Sequence, residues 1–149
     1  MAHISNIYTV DLVEPAIQLL VSPVSVPAGY PSSSQDYFSP DSPDGRVSLD
    51  AHLIKDSTST FIVRVSGHSM EGAGISDGDE LIVNRALTPR DGNVIVAVLD
   101  GELTVKRLRI TATGVVLQAE NPDYPDIVVP EFGSLTCWGV AETSIHKLL

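Results

Sequence analysis

The sequence predicts a mostly β domain, a β sandwich or partly open barrel, with one short helix and an extended N-terminal arm. From Thr60 onward the chain carries seven short segments rich in β-branched residues. Asp-Gly pairs at 77–78, 91–92 and 100–101 mark tight turns between segments. Residues 22–45 contain prolines at five positions among serines and glycines, a composition typical of an extended linker.

The predicted elements follow one another along the chain. Residues 48–55 predict a short helix with Ser48 as its N-cap and Leu49, Leu53 and Ile54 on one face. The strands are predicted at 61–65, 80–83, 94–99, 102–108, 115–119, 127–129 and 136–141. The Asp100-Gly101 pair joins two of them into a hairpin. We therefore divide the chain into a flexible arm, residues 1–45, and a β domain, residues 46–149.

Size and charge restrict the function classes. The 149 residues suffice for one core, and 43% of them are hydrophobic, so the bulk of the chain is expected to fold. Nine Lys and Arg stand against 19 Asp and Glu, which gives a formal net charge of −10. Since an acidic surface repels the phosphate backbone, direct sequence-specific DNA binding is not expected.

The chain shows no signature of a metal centre, a disulfide framework or a membrane segment. A single cysteine, Cys137, excludes an internal disulfide, and the four histidines are too far apart in sequence to form a ligand pair. The longest purely apolar run, 94–99, is far shorter than the roughly 20 residues that span a bilayer. No basic residue precedes Arg46, as a secretory signal would require. We expect a soluble cytoplasmic protein without metal or cofactor.

Two residues have the chemistry of a nucleophile and its base. Ser69 follows a predicted strand and precedes Gly72 and Gly74, whose flexible backbone suits N–H groups directed at an oxyanion. Lys106 lies in a strand whose period places Thr104 and Leu108 on the same face. If that face is buried, desolvation favours the neutral amine, which can deprotonate a serine. Taken singly, each residue has a simpler interpretation, as a turn serine and as a solvent-facing lysine.

The order of several motifs resembles the self-cleaving LexA/UmuD peptidase family, and UmuD-like members in particular. The motifs are Val65-Ser-Gly-His-Ser-Met70, Gly74-Ile-Ser-Asp-Gly-Asp79, Leu81-Ile-Val83, Asp100-Gly-Glu-Leu-Thr-Val-Lys-Arg107, Asn121-Pro-Asp-Tyr-Pro-Asp-Ile127 and Trp138-Gly-Val140. They cover about residues 60 to 145 in order, which is far more specific than an isolated serine and lysine. The resemblance implies that Ser69 is the nucleophile and Lys106 the general base.

The resemblance also implies a scissile bond and an oxyanion hole. Such proteins cut themselves at an Ala-Gly or Cys-Gly bond upstream of the serine, and Ala28–Gly29 fits this pattern. The backbone N–H groups of His68 and Ser69 are the implied oxyanion donors, with the His68 side chain not acting as a base. Thr104 either orients the lysine or simply fills the sheet. The carboxylates of Asp77, Asp79 and Glu80 lack the ligand spacing of a calcium loop, and we interpret them as a solvated turn.

The function implied is that of an autoproteolytic protein of the SOS response. A RecA–single-stranded DNA filament would stimulate the cut, and the shortened homodimer would serve a UmuC-like Y-family DNA polymerase in translesion synthesis. A LexA or phage-type repressor is an alternative, but 28 residues before Gly29 are too few for a DNA-reading unit. A type I signal peptidase would need a membrane anchor. A non-catalytic dimeric scaffold remains compatible with the composition, and the presence of both Ser69 and Lys106 argues against it.

Overall fold

The computed structural model of the chain describes residues 3–9, 18–20, 28, 46–130 and 135–149. By its internal contacts the chain divides into two units: residues 1–10 with 56–149, and residues 11–55. The division of the chain into an arm at 1–45 and a domain at 46–149 stays a prediction, because most of the first 45 residues lie outside the described ranges.

Ten strands, one short α-helix and a 3-10 turn at Glu71–Ala73 make up the described secondary structure. The strands are β1 (His3–Thr9), β2 (Gln18–Leu20), β3 (Arg46–Ser48), β4 (Thr60–Ser66), β5 (Glu80–Asn84), β6 (Val94–Leu99), β7 (Glu102–Thr111), β8 (Gly114–Gln118), β9 (Ile127–Val129) and β10 (Leu135–Ile145). The helix is α1 (Leu49–Leu53). The seven strands predicted from Thr60 onward are all present, with ends that differ by a few residues.

The larger unit is one antiparallel sheet that curls toward closure. Its eight strands lie in the order β1-β4-β5-β10-β6-β7-β8-β9, and β1 pairs with β7 as well, at His3 and Thr104. Six strands therefore form a ring, and β8 and β9 extend the sheet beyond β7. The long strand β10 pairs first with β6 and then with β5, with register shifts at 137–139 and 141–143. Such bulges bend a strand, which helps a sheet to curl. The predicted mostly β, partly open barrel is confirmed.

Two apolar clusters lie on the two faces of β7. The first includes Val105 and the buried residues Val63, Val65, Met70, Ile75, Leu81, Val83 and Val96. The second includes Leu108 with Ile95, Ala97, Leu117 and Val140. Because successive residues of a strand point to opposite faces, Val105 and Leu108 belong to different clusters. The middle of β7 is therefore buried on both sides, which decides the surroundings of Lys106.

The smaller unit contains a short ribbon and the predicted helix. Strands β2 and β3 pair antiparallel, with Gln18 opposite Ser48 and Leu20 opposite Arg46. Helix α1 follows directly, and the Ser48 side chain accepts a hydrogen bond from the Ala51 N–H at 3.4 Å. The predicted helix and its N-cap are thus confirmed. None of its residues is buried, so the predicted apolar face does not enter a core.

Three strands were not foreseen from the sequence. Strands β2 and β3 have three residues each, β1 lacks a run of β-branched residues, and each of the three is completed by hydrogen bonds to a partner distant in sequence. The predicted hairpin at Asp100-Gly101 is present, joining β6 to β7. Both central residues have positive φ, 50° and 82°, as the tight turn of a twisted hairpin requires.

Candidate active site

Lys106 lies in the middle of β7 with its side chain removed from solvent. Its side chain shares a face with Leu108 and with Ile95, its partner on β6. Lys106 is 1% exposed, and its neighbours Thr104 and Val105 are also buried. The burial of the face bearing Thr104, Lys106 and Leu108 was the condition for a neutral amine, and the structure fulfils it.

Ser69 lies in the turn that follows β4. Gly67 adopts a φ of 99°, a left-handed conformation that turns the chain out of the strand at little steric cost. The next side chain after the serine, Met70, is fully buried in the first apolar cluster, and a 3-10 turn follows at Glu71–Ala73. The turn is thus fixed by a core side chain beside Ser69, which is itself fully buried.

The two predicted residues meet. The Lys106 Nζ atom is 2.9 Å from the Ser69 Oγ atom, within hydrogen-bond distance, although 37 positions separate them in sequence. A lysine beside a hydroxyl at this distance is able to exchange a proton with it once the amine is neutral. The geometry therefore suits activation of a serine nucleophile, while the catalytic roles themselves stay predictions.

Burial and charge act in opposite directions on the lysine. Desolvation lowers the pKa of Lys106, because the low-dielectric interior disfavours the ammonium form. The negative charge of Asp126, an exposed residue, acts more weakly and raises the pKa. The net effect is a lowered pKa, which increases the neutral fraction at any given pH.

The loop before β5 holds the nucleophile turn through Asp77 and is itself fixed by Asp79. Asp77 Oδ1 accepts a hydrogen bond of 2.8 Å from the Gly67 N–H. Asp79 is buried, and its carboxylate accepts from the Ser76 N–H at 2.8 Å and contacts His146 Nδ1 at 2.5 Å. The interpretation of this loop as a solvated turn is therefore wrong for Asp79, which is buried, whereas Asp77 is exposed and also accepts the hydrogen bond from Gly67.

The segment after β8 holds the same turn from the other side. Asn121 Nδ2 donates a hydrogen bond of 2.8 Å to the His68 carbonyl, and the Glu120 carbonyl accepts one of 2.7 Å from the Gly72 N–H. The Glu120 carboxylate forms an ion pair with Arg107, the residue next to Lys106. The strand that bears the lysine and the turn that bears the serine are thus joined through residues 120 and 121.

The two glycines that follow Ser69 donate their own N–H groups to carbonyls of the protein. The Gly72 N–H donates to Glu120 and the Gly74 N–H donates to the Glu71 carbonyl at 2.9 Å. These glycines therefore shape the turn, and the oxyanion donors, the N–H groups of His68 and Ser69, stay predictions. A side chain at position 72 would also be excluded, since a Cβ atom there would lie 2.5 Å from the Glu120 carbonyl oxygen.

The other predicted site residues are placed as follows. The His68 side chain is exposed and its Nδ1 atom lies 2.5 Å from Glu71 Oε1, so the ring points away from the buried pair. Thr104 is buried in β7 two residues before the lysine. Ala28 is an exposed residue in a bend, and Gly29 lies outside the described residues. The scissile bond therefore stays a prediction.

Sequence reasoning missed the two side chains that hold the turn, Asp77 and Asn121. Both lie in motifs that carried the resemblance, but their hydrogen bonds reach the turn from positions 10 and 53 residues away along the chain. Among the described residues, no helix is long and apolar enough to cross a membrane.

The chain is similar to one protein family and to several known proteins. Residues 19–142 match the family Peptidase S24-like. Protein SamA of Salmonella typhimurium is 37% identical over 121 residues, which cover 81% of this chain and 80% of SamA. Protein MucA of Escherichia coli is 36% identical over 80% of this chain and 79% of its own length. The LexA repressor of Delftia acidovorans is 45% identical over 107 residues, 71% of this chain and 45% of the repressor. The chain therefore belongs to the S24-like serine peptidase family, as a UmuD-like member.

Proposed function

We propose that this protein is a serine peptidase that cuts its own chain between Ala28 and Gly29. The observation that carries the proposal is the buried contact of 2.9 Å between Lys106 Nζ and Ser69 Oγ. An unpaired ammonium is costly to bury, so a lysine retained in an apolar strand beside a hydroxyl is best explained by its proton chemistry. Membership of a serine peptidase family supports the same conclusion.

The first half of the reaction forms an acyl-enzyme. The neutral Lys106 amine takes the proton of Ser69 Oγ, and this oxygen attacks the Ala28 carbonyl carbon to form a tetrahedral intermediate. The negative charge on the former carbonyl oxygen is stabilised by the N–H groups of His68 and Ser69. The bond from Ala28 to the Gly29 nitrogen then breaks, and that nitrogen takes the proton from the Lys106 ammonium.

The second half of the reaction releases the segment 1–28 from Ser69. Lys106, neutral again, takes a proton from water, and the hydroxide formed attacks the ester between Ala28 and Ser69. Collapse of this second intermediate returns the proton to Ser69 Oγ. The products are the segment 1–28, with a new carboxylate, and the shortened chain 29–149, with a new amino group. The small side chain of Ala28 and the absent one of Gly29 allow the backbone to approach a buried serine.

The shortened chain is proposed to act as a homodimer and an accessory subunit of an error-prone translesion DNA polymerase of the UmuC-like Y family. The resemblance to UmuD-like proteins supports this role, and with it stimulation of the cut by a RecA–single-stranded DNA filament. The net charge of −10 supports recruitment through protein contacts rather than direct DNA binding.

Intact-mass spectrometry after incubation across a pH series tests the proposed cut. The expected products are 1–28 and 29–149, formed faster as the pH rises and more Lys106 becomes neutral. Ser69→Ala and Lys106→Ala should each remain whole. Ser57→Ala and Lys55→Ala change exposed residues of the same two types and should cut like the wild type. Cutting at Ala28 in both site variants would exclude the proposed serine–lysine mechanism.

A second experiment tests the partner. The shortened chain 29–149, the uncut Ser69→Ala chain and a buffer blank are each passed over an immobilised Y-family polymerase and over operator-length duplex DNA. Polymerase binding that favours the shortened chain is the expected result. Retention on DNA alone would favour the repressor alternative, and polymerase binding that is the same for both chains would favour a scaffold in which cutting has no role.

A further inference from the structure

The oxyanion donors proposed above require a fixed direction for one particular peptide group. The group is the peptide between His68 and Ser69, whose N–H belongs to the nucleophile itself. An oxyanion donor contributes to rate only when it already points at the site where charge develops. A turn can in principle rotate its peptide planes, so some contact has to prevent that rotation. The inference developed here rests on the proposed function.

The oxygen of that peptide group accepts from the Glu71 N–H at 3.4 Å and, in a shorter contact, from Asn121. The Asn121 Nδ2 atom donates to the His68 carbonyl oxygen at 2.8 Å. The other end of its side chain is also engaged, because Oδ1 accepts from the Asp123 N–H at 2.9 Å. The Asn121 carbonyl accepts from the Tyr124 N–H at 3.0 Å. Hydrogen bonds within its own loop therefore fix the orientation of the Asn121 side-chain amide, whose Nδ2 atom contacts the turn.

The geometry of a peptide transmits this contact to the nucleophile. The peptide between His68 and Ser69 is trans, and in a planar trans peptide the C=O and N–H bonds point in opposite directions. A donor that holds the His68 oxygen from one side consequently directs the Ser69 N–H to the opposite side. We propose that Asn121 is a positioning residue, which aims the Ser69 N–H at the oxyanion by holding the His68 carbonyl.

Neighbouring contacts make the support rigid. The Glu120 carbonyl holds the Gly72 N–H at 2.7 Å, three residues after the nucleophile. The Glu120 carboxylate pairs with Arg107, which also donates to the Gly92 carbonyl at 2.6 Å. The segment that carries Asn121 is therefore tied to β7 as well as to the turn. These contacts fix the position of the Ser69 N–H relative to β7, the strand that carries Lys106.

The test measures the self-cutting rate of Asn121→Ser and Asn121→Asp as a function of pH. Serine is neutral and too short to reach the His68 oxygen, whereas aspartate is isosteric and keeps the acceptor for the Asp123 N–H while losing the donor. Rates are compared on the plateau above the Lys106 titration, where the lysine is neutral in every variant. Glu142→Gln, a change at an exposed residue of β10, is the control and should cut like the wild type.

The expected result is a plateau rate lowered by about 10- to 100-fold in both Asn121 variants, less than the effect of deleting an oxyanion donor outright. The pH midpoint of Asn121→Ser and its thermal unfolding temperature should match the wild type. A plateau within twofold of the wild type would overturn the inference. So would a displaced midpoint in Asn121→Ser, since it would mean action through Lys106. If Asn121→Ser unfolds early, the isosteric Asn121→Asp decides. A wild-type chain that does not cut would refute the proposed function, and this inference with it.

Discussion

Neutralising Asp126 should accelerate self-cutting at pH values below the Lys106 titration. The negative charge of this residue raises the pKa of Lys106, so Asp126→Asn removes an interaction that favours the unreactive ammonium. Asp126 is exposed and screened by solvent, and interactions of that kind are worth roughly 0.2–1 kcal/mol. That free energy changes the ratio of neutral to charged lysine by about 1.4- to 5-fold. Because the rate follows the neutral fraction, cutting should accelerate by the same factor.

The assay is the rate of formation of chain 29–149 at two pH values, one below the titration midpoint and one on the plateau. The acceleration should vanish on the plateau, where Lys106 is already neutral, and should decrease at high salt because the charge is screened. Asp123→Asn removes a carboxylate from the same loop and serves as the control. Equal acceleration at both pH values, or a slower reaction at the lower one, would refute the electrostatic reasoning.

Three further variants test the polarity of the site and the packing of the sheet. Asp77→Ala should slow cutting about 10-fold or more, because the Gly67 N–H loses its acceptor. Asp77→Asn keeps an oxygen at that place and should cut faster than Asp77→Ala. Equal cutting rates in the two variants would contradict the role of that contact. In a Ser69→Ala background, Lys106→Met should stabilise the protein most at low pH. The pKa of Lys106 is lower in the folded chain than in the unfolded chain. Between these two pKa values the unfolded chain holds more protons, so the stability of the lysine form rises with pH. Urea unfolding at pH 7 and pH 10 measures the difference in free energy of unfolding between the two forms, and a difference that widens with pH would contradict the reasoning. Gly139→Ala should lower the free energy of unfolding, measured with urea, by about 1–3 kcal/mol, because its Cβ atom would lie 2.6 Å from a methyl group of buried Val83. An unchanged unfolding midpoint would mean that the sheet accommodates the methyl group without loss of stability.

The strands after Thr60 were predictable because their signals are local. Runs such as Val94 to Leu99 are β-branched, and the Asp100-Gly101 pair fits a turn that needs positive φ at both positions. Strand β1 was not predictable, since its residues gain regular structure through pairing with β4, more than 50 positions away. The same distinction applies to the site. The motifs indicated Ser69 and Lys106, but nothing local indicated that Asp77 and Asn121 bind the turn.

The amino-acid sequence by itself determined the class of fold, the helix cap at Ser48 and the pair of residues with matching chemistry, because each depends on residue type and short-range spacing. Tertiary structure alone decided that Lys106 is buried on a strand with a core on both faces. It also decided that the amine lies 2.9 Å from Ser69 and that two loops hold the turn between them. Desolvation and hydrogen-bond direction are properties of packed neighbours, and chain order does not state which neighbours those are.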